Sequence, residues 1–223
     1  MYDRDYATAE RKFQRALEID PADAAAHEQY AQYLAIMGRG PQALVEIEQA
    51  RKLDPFSPSI KQTTGMIYYY QRRYDEALEA LKQAREADPN LSSAHEWSGF
   101  VYEQKSMRLE AIEQYLRARL ISTTKPDYPT ELKSAYVKSG WQGFWRSELA
   151  YLKDRAATSY VSASRIADIY RRLEDRQQAL AWLARAFEER DGRIVALKVD
   201  PAYDGFRGEP QFDELSKRVS QVP

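Results

Sequence analysis

Two histidines, His27 and His95, and a scatter of carboxylates are the side chains of this 223-residue sequence that could hold a metal or move a proton. Metal ligation needs the two imidazoles close together, yet they stand 68 residues apart. The carboxylates, such as Glu46 and Glu48 or Glu188 and Glu189, lie among Lys and Arg, as on solvated, ion-paired helix faces. There is no cysteine, which removes disulfides, thiolate metal sites and thiol nucleophiles. The DPFSPS and DPNLSS runs (54–59 and 88–93) lack the glycines that let backbone approach a phosphate, and no P-loop, dinucleotide fingerprint or H-E-x-x-H occurs. The sequence therefore predicts a protein that is not an enzyme, with no cofactor and no metal.

Elements of a folded, water-exposed protein are expected instead. The chain is 43% hydrophobic, enough for a sizeable core, and 33 basic residues against 34 acidic ones leave a net charge of -1. Such a balance argues against nucleic-acid binding by this segment. The start, MYDRDYATAERKFQRAL, carries Asp3 and Asp5 where a signal peptide has a basic and then an apolar stretch, and no apolar run is long enough to span a bilayer.

The prolines reveal the organisation. Pro21, Pro55 and Pro89 each follow Asp and are spaced by 34 residues. At that period Ala9, Ala43, Ala77, Ala111 and Ala179 fall in one column, and Ala16, Ala50, Ala84, Ala118 and Ala186 in another. A third column reads Leu34, Tyr68, Tyr102, Tyr136, Tyr170, and a fourth Ala31, Gly65, Gly99, Ala167. Within residues 72–89 the apolar Ala77, Leu78, Leu81 and Ala84 recur at helical spacing, and Asp-Pro ends the helix. Gly65 and Ala77 let two helix backbones approach, with Tyr68 filling the space beside them. The histidines share one column two periods apart, roughly 20 Å if adjacent helices pack at 8 to 10 Å, so both are read as packing residues.

These columns resemble the tetratricopeptide repeat closely. The resemblance implies an all-α fold: a right-handed α-solenoid of antiparallel helix pairs with a C-terminal cap. Its boundaries would be a half repeat over 1–23, repeats over 24–57, 58–91, 92–125, 126–159 and 160–193, and a capping segment over 194–223. A half repeat exposes a face that a solenoid normally covers, so the chain is expected to be a piece of a longer protein. YDRDYATAERKFQRALEIDP, SGWQGFWRSEL and AFEERDGRIVALKVDPAYDGFRGEPQFDELSKRV are similar to segments of C-terminal repeat modules in bacterial signalling proteins. That likeness implies an alternative role as the regulatory or sensory end of a membrane-anchored transcription regulator or serine/threonine kinase. The compartment follows the upstream sequence: cytoplasmic as given, extracytoplasmic if a membrane segment precedes it.

One repeat departs from the pattern. Over 126–159, Lys133 stands in the small column and Trp145 in the first Ala column. Trp141, Phe144 and Trp145 are read as a repacked core, the alternative being an aromatic-lined pocket. After Arg193 the period ends, and the tail, with Phe206, Phe212, Leu215 and Val219, reads as the cap.

What remains is a surface. In this family the first helix of each pair lines the concave side, which here implies Glu28, Gln29, Gln32, Ala35 and Ile36; then Gln62, Met66, Tyr69 and Tyr70; then Glu96, Trp97, Phe100, Glu103 and Gln104. Ser134 and Lys138 follow, then Ser164, Arg165, Asp168, Arg171 and Arg172. The face is aromatic and mildly acidic at one end and basic at the other, suited to a peptide or protein segment with apolar side chains. Tyr69 and Tyr70 are expected to face solvent and Tyr68 the core. The Lys, Asn and Arg of the family's carboxylate-clamp members are replaced here by Gln, Met, Glu and Phe, which argues against that activity. A monomer with at most weak self-association is expected.

The repeat phase has its own check. Ala84→Leu should lower stability by roughly 1 to 3 kcal/mol through overpacking, measured by urea denaturation; no change would mean the phase is misplaced.

Overall fold

Helix follows helix along the chain. The structure is a computed structural model and describes residues 6–221; the opening of the expected half repeat and the last two residues of the expected cap lie outside it. All regular structure among the described residues is helical. The chain forms two compact units, one reaching to Ser122 and including Lys198–Ala202, the other made of Thr123–Leu197 and Tyr203–Gln221.

In the first unit, α1 (Tyr6–Ile19) precedes three helix pairs: α2 (Ala24–Ile36) with α3 (Gly40–Leu53), α4 (Pro58–Tyr70) with α5 (Tyr74–Ala87), and α6 (Ser92–Gln104) with α7 (Arg108–Ser122). The first helices of successive pairs also pack together, α2 on α4 and α4 on α6. Asp23 caps α2 by accepting from the Ala26 N–H at 3.0 Å, and Ser57 caps α4 from the Ile60 N–H at 3.4 Å. Ala43, Ala50, Ala77, Ala84, Ala111 and Ala118 are buried where the backbones meet. A methyl placed on Gly65 would come within 2.6 Å of Leu81 Cγ, and one on Gly99 within 2.4 Å of Tyr115 Cε1. A side chain at either place would force Leu81 or Tyr115 to move.

The turn inside each pair is the same. Gly38, Arg72, Ser106 and Glu174 have φ of 77°, 61°, 59° and 63°, and each lies 34 residues from the next or twice that. Bonds from the following N–H back to the Leu34, Tyr68, Tyr102 and Tyr170 carbonyls, at 2.8, 2.9, 2.9 and 3.0 Å, close the turn as a Schellman motif. Three of the four are not glycine, so closure of the helix end offsets roughly 1–2 kcal/mol of left-handed strain at each.

The second unit contains α8 (Tyr128–Arg155), α9 (Ala163–Arg172), α10 (Arg176–Glu188), short 3₁₀ turns around Gly192–Lys198 and Pro201–Phe206, and α11 (Pro210–Gln221). The long α8 is broken at Ser139 and Gly140, where Gly140 has φ 58° and ψ -150°, a conformation that only glycine adopts readily. Phe144 and Trp145 are buried, and the Trp141 indole N–H donates to the Arg172 carbonyl at 3.3 Å, so this cluster is repacked core. Asp191 takes the Ser162 hydroxyl and, at 3.0 Å each, the N–H groups of Ser164 and Arg193, tying the start of α9 to the turn after α10. Tyr203, Phe206 and Phe212 cluster with ring centroids within 6.0 Å, and Phe212, Leu215 and Val219 are buried. The tail is therefore shared between the units: its aromatic residues pack in the second, whereas Lys198–Ala202 packs in the first.

Candidate functional site

The expected concave columns separate, on inspection of their partners, into residues that join helices and residues that remain partly open. Glu28, Gln32 and Gln62 join. The Thr63 hydroxyl donates to Glu28 at 2.8 Å, the Gln32 amide donates to Thr63 at 2.9 Å, and Ser59 donates to Glu28 at 2.9 Å, which links α2 to α4. Ser93 repeats the link from α6 by donating to Gln62. The acidic residues of α6 turn toward their own pair: Glu96 meets the buried Arg119 at 3.1 Å, and Glu103 accepts from the Tyr115 hydroxyl. Both were expected on the mildly acidic end of the concave face, and both pair within their own helix pair.

The aromatic set is the most organised part. Tyr69, Tyr70, Trp97 and Phe100 form one cluster, with centroids 5.5 Å apart for Tyr69–Tyr70 and Tyr69–Trp97, 5.7 Å for Tyr70–Trp97 and 5.3 Å for Trp97–Phe100. Tyr70, Trp97 and Phe100 are half-buried. Tyr69 is only 2% exposed and Met66 only 7%, so the expectation that Tyr69 and Met66 line an open face is corrected. The reason is a contact far along the chain: the Tyr69 hydroxyl donates to Asp200 at 2.8 Å. Tyr68, expected in the core, is half-buried with the Arg73 guanidinium 4.4 Å over its ring.

Beside this cluster lies a recess of about 220 Å³ between the turns of the first two pairs, bounded by Ala35, Gly38, Gly40, Ile67, Tyr70, Gln71, Arg72, Lys198 and Val199. The Gln71 Nε2 is buried there without an acceptor. Sequence reasoning missed Gln71 and Val199–Asp200. The one signal was an Asp-Pro at 200–201, out of phase with those at 20–21, 54–55 and 88–89.

The basic end belongs to the second unit and is largely committed internally. Asp168 accepts from the Tyr203 hydroxyl at 2.6 Å and lies 3.6 Å from Arg171 and 4.0 Å from Arg172. Burial pushes its carboxyl up, but Arg172, Arg171 and the Tyr203 bond together outweigh that and hold it below the ordinary aspartate value. Arg172 is buried with its guanidinium 4.3 Å over Trp145, which corrects its expected place on an open face. Arg165 pairs at 2.9 Å with Glu148, which is itself fully buried and accepts from Tyr128. Lys138 is exposed. The histidines hold equivalent posts in their pairs: His27 Nδ1 meets Glu46 at 2.7 Å, and His95 Nδ1 meets Gln114 at 2.8 Å. Among the described residues no helix is long and apolar enough to cross a membrane.

Residues 1–67 match a family model described as "Tetratricopeptide repeat", and residues 65–106 match one described as "TPR repeat". The fold is similar to that of PilF of Pseudomonas aeruginosa, with 21% identity, a TM-score of 0.54, and coverage of 96% of this chain and 90% of that one. MamA is similar at 17% identity and TM-score 0.47, covering 85% of this chain and 91% of its own. YrrB, whose structure is titled "a TPR protein with an unusual peptide-binding site", has 20% identity and TM-score 0.45 over 83% and 96% of the two chains. No curated protein matches the sequence.

Two outcomes follow from the geometry. Tyr69→Ala should cost about 3 to 5 kcal/mol in urea denaturation, as for a large buried side chain, and Tyr68→Ala roughly half that; equal losses would contradict the assignment. Asp168 has a depressed folded-state pKa, so its stabilisation is complete above the unfolded value, about pH 4, and is lost as pH falls through the folded one. Asp168→Asn should therefore show a shallower fall in stability than wild type between about pH 5 and 2, read from thermal melts.

Proposed function

This chain carries tetratricopeptide repeats, and from that premise we propose that it is a non-enzymatic interaction scaffold whose first unit binds a peptide or protein segment. Stacked helical repeats present broad surfaces formed by the same helix of each pair, the usual working part of such proteins. The observation that carries the reading is the aromatic cluster on α4 and α6. Tyr70, Trp97 and Phe100 each keep part of the ring accessible while the buried Tyr69 fixes their positions. Rings held this way offer large apolar area at little entropic cost on binding, and Tyr and Trp are frequent anchors of interfaces.

Charge contributes less than the sequence suggested. Glu96, Glu103, Asp168 and Arg172 are taken up by partners within their own units, so they are poor candidates for reading a ligand's charge. Glu28, Gln32 and Gln62 keep some exposure and supply polar atoms at the rim, where they can bond to the backbone of an extended segment. The ligand class is thus a peptide bearing apolar side chains.

The test is selection of random peptides displayed on phage against the purified chain, followed by titration of the recovered peptides. A Tyr70→Ala, Trp97→Ala double variant should weaken their binding by about 30-fold or more, the loss of roughly 2 kcal/mol typical of an anchor, while remaining folded by circular dichroism. Failure to recover any binder, or binding indifferent to both substitutions, would refute the reading.

A further inference from the structure

Five residues of the tail, Lys198–Ala202, pack with the first unit although the residues on either side of them belong to the second. They link two 3₁₀ turns, and Val199 and Asp200 are outside both. Asp200 receives the Tyr69 hydroxyl at 2.8 Å and also the Ala202 N–H at 2.9 Å, which folds the segment into a tight turn around its carboxylate. Val199 lies over Gly38: a methyl there would stand 3.3 Å from Val199 Cγ1. An apolar side chain in a shallow hollow beside a carboxylate on a tyrosine hydroxyl is the manner in which a short peptide is held.

The contact also leaves the site unfinished. Gln71 borders the same recess as Val199 and Lys198, and its Nε2 is buried with no acceptor. Arg72 forms the rim there with its backbone in the left-handed region. The unengaged donor on the recess is therefore the Gln71 amide, whereas the Tyr69 hydroxyl, outside the recess lining, is engaged by Asp200. The amide asks for a carbonyl or carboxylate oxygen.

We propose that Lys198–Ala202 is an internal ligand of the binding face, and that the face's partner is an extended peptide of the same chemistry: a β-branched apolar residue, an aspartate and a proline, with an acceptor that reaches Gln71. This rests on the first unit's role as the peptide-binding unit. An internal segment competes at an effective concentration that a free peptide must exceed, so a partner must make a contact that the segment lacks. The Gln71 amide provides that contact. The internal copy then acts as a threshold that admits only peptides able to fill the whole hollow.

The probe is an end-blocked fluorescein peptide, GKVDPAG, measured by polarisation against the full chain. A Val199→Ser, Asp200→Ala variant, whose internal copy is weakened, should bind it at least about tenfold more tightly than wild type, because occupancy by a tethered competitor lowers apparent affinity in proportion. Adding Tyr69→Phe, which removes only the hydroxyl, should abolish the gain. Equal binding by wild type and variant, or no binding by either, would overturn the proposal. If the double variant does not fold, Tyr69→Phe alone decides: deuterium exchange of the amides of residues 199, 200 and 202 should accelerate about tenfold or more, and unchanged exchange would show that the segment is not held through this bond. The two readings fail separately. Phage-selected peptides that depend on Tyr70 and Trp97 while GKVDPAG ignores the variant would leave the scaffold standing and remove the internal ligand, whereas failure to select any peptide removes the scaffold itself.

Discussion

How near two helix backbones can come decides everything else in this chain. Wherever an alanine or glycine holds the columns, the pairs close: Ala43, Ala50, Ala77, Ala84, Ala111, Ala118, Ala179 and Ala186 are all at or near complete burial. The larger neighbours then interdigitate over that contact, as Leu81 does across Gly65 and Tyr115 across Gly99. Without disulfides, and with many ion pairs on the surface contributing little, dispersion and apolar burial across these interfaces supply most of the stability. The repeat over residues 126–159 shows what happens when the constraint is lifted. Trp145 occupies an alanine's place, and its indole packs with the Arg172 guanidinium 4.3 Å over the ring and Phe144 edge-on at 4.9 Å.

Close packing demands a turn of fixed geometry, and the turn demands a left-handed residue. Gly38 supplies it without strain, whereas Arg72, Ser106 and Glu174 adopt it against their preference. That a cation, a hydroxyl and a carboxylate take the same backbone shape shows that the returning hydrogen bond, not residue type, governs the position. Gly140 occupies the same place in the period but has ψ of -150°, outside the left-handed helical region. There glycine is required, and the chain leaves the pattern that the other turns follow.

These two constraints explain which features could be read from residues alone. Excluded volume acts on composition at every period, so the small columns and the helix pairs were visible, as was the family they resemble. The turn column was not, because its residues share a conformation without sharing a chemistry. The three adjacent tyrosines were ambiguous for another reason: successive residues on a helix point about 100° apart, and each could have served as core. Tyr69 was assigned to the open side and lies inside, because its hydroxyl finds Asp200, 131 residues later. Arg172 was misplaced likewise, since its ring partner Trp145 sits in a different helix. Contacts that set these side chains are long-range, and periodicity carries no information about them.

The same long-range contacts bear on how a binding face of this kind can discriminate. In the first unit Glu96 and Glu103 are paired internally and leave little charge to select by, and the whole chain's charge of -1 adds no steering field. Selection then depends on shape and on a few oriented donors. Rings at Tyr70, Trp97 and Phe100 give area but accept many apolar side chains. A buried donor is more demanding, because a ligand that fails to supply its acceptor leaves it unsatisfied in a site from which water has been displaced, at a cost of about 1–3 kcal/mol. Gln71, at the end of α4, holds such a donor two residues after Tyr69, whose hydroxyl is taken by Asp200. In the proposed peptide complex, affinity would come from the aromatic cluster and specificity from the helix end beside it.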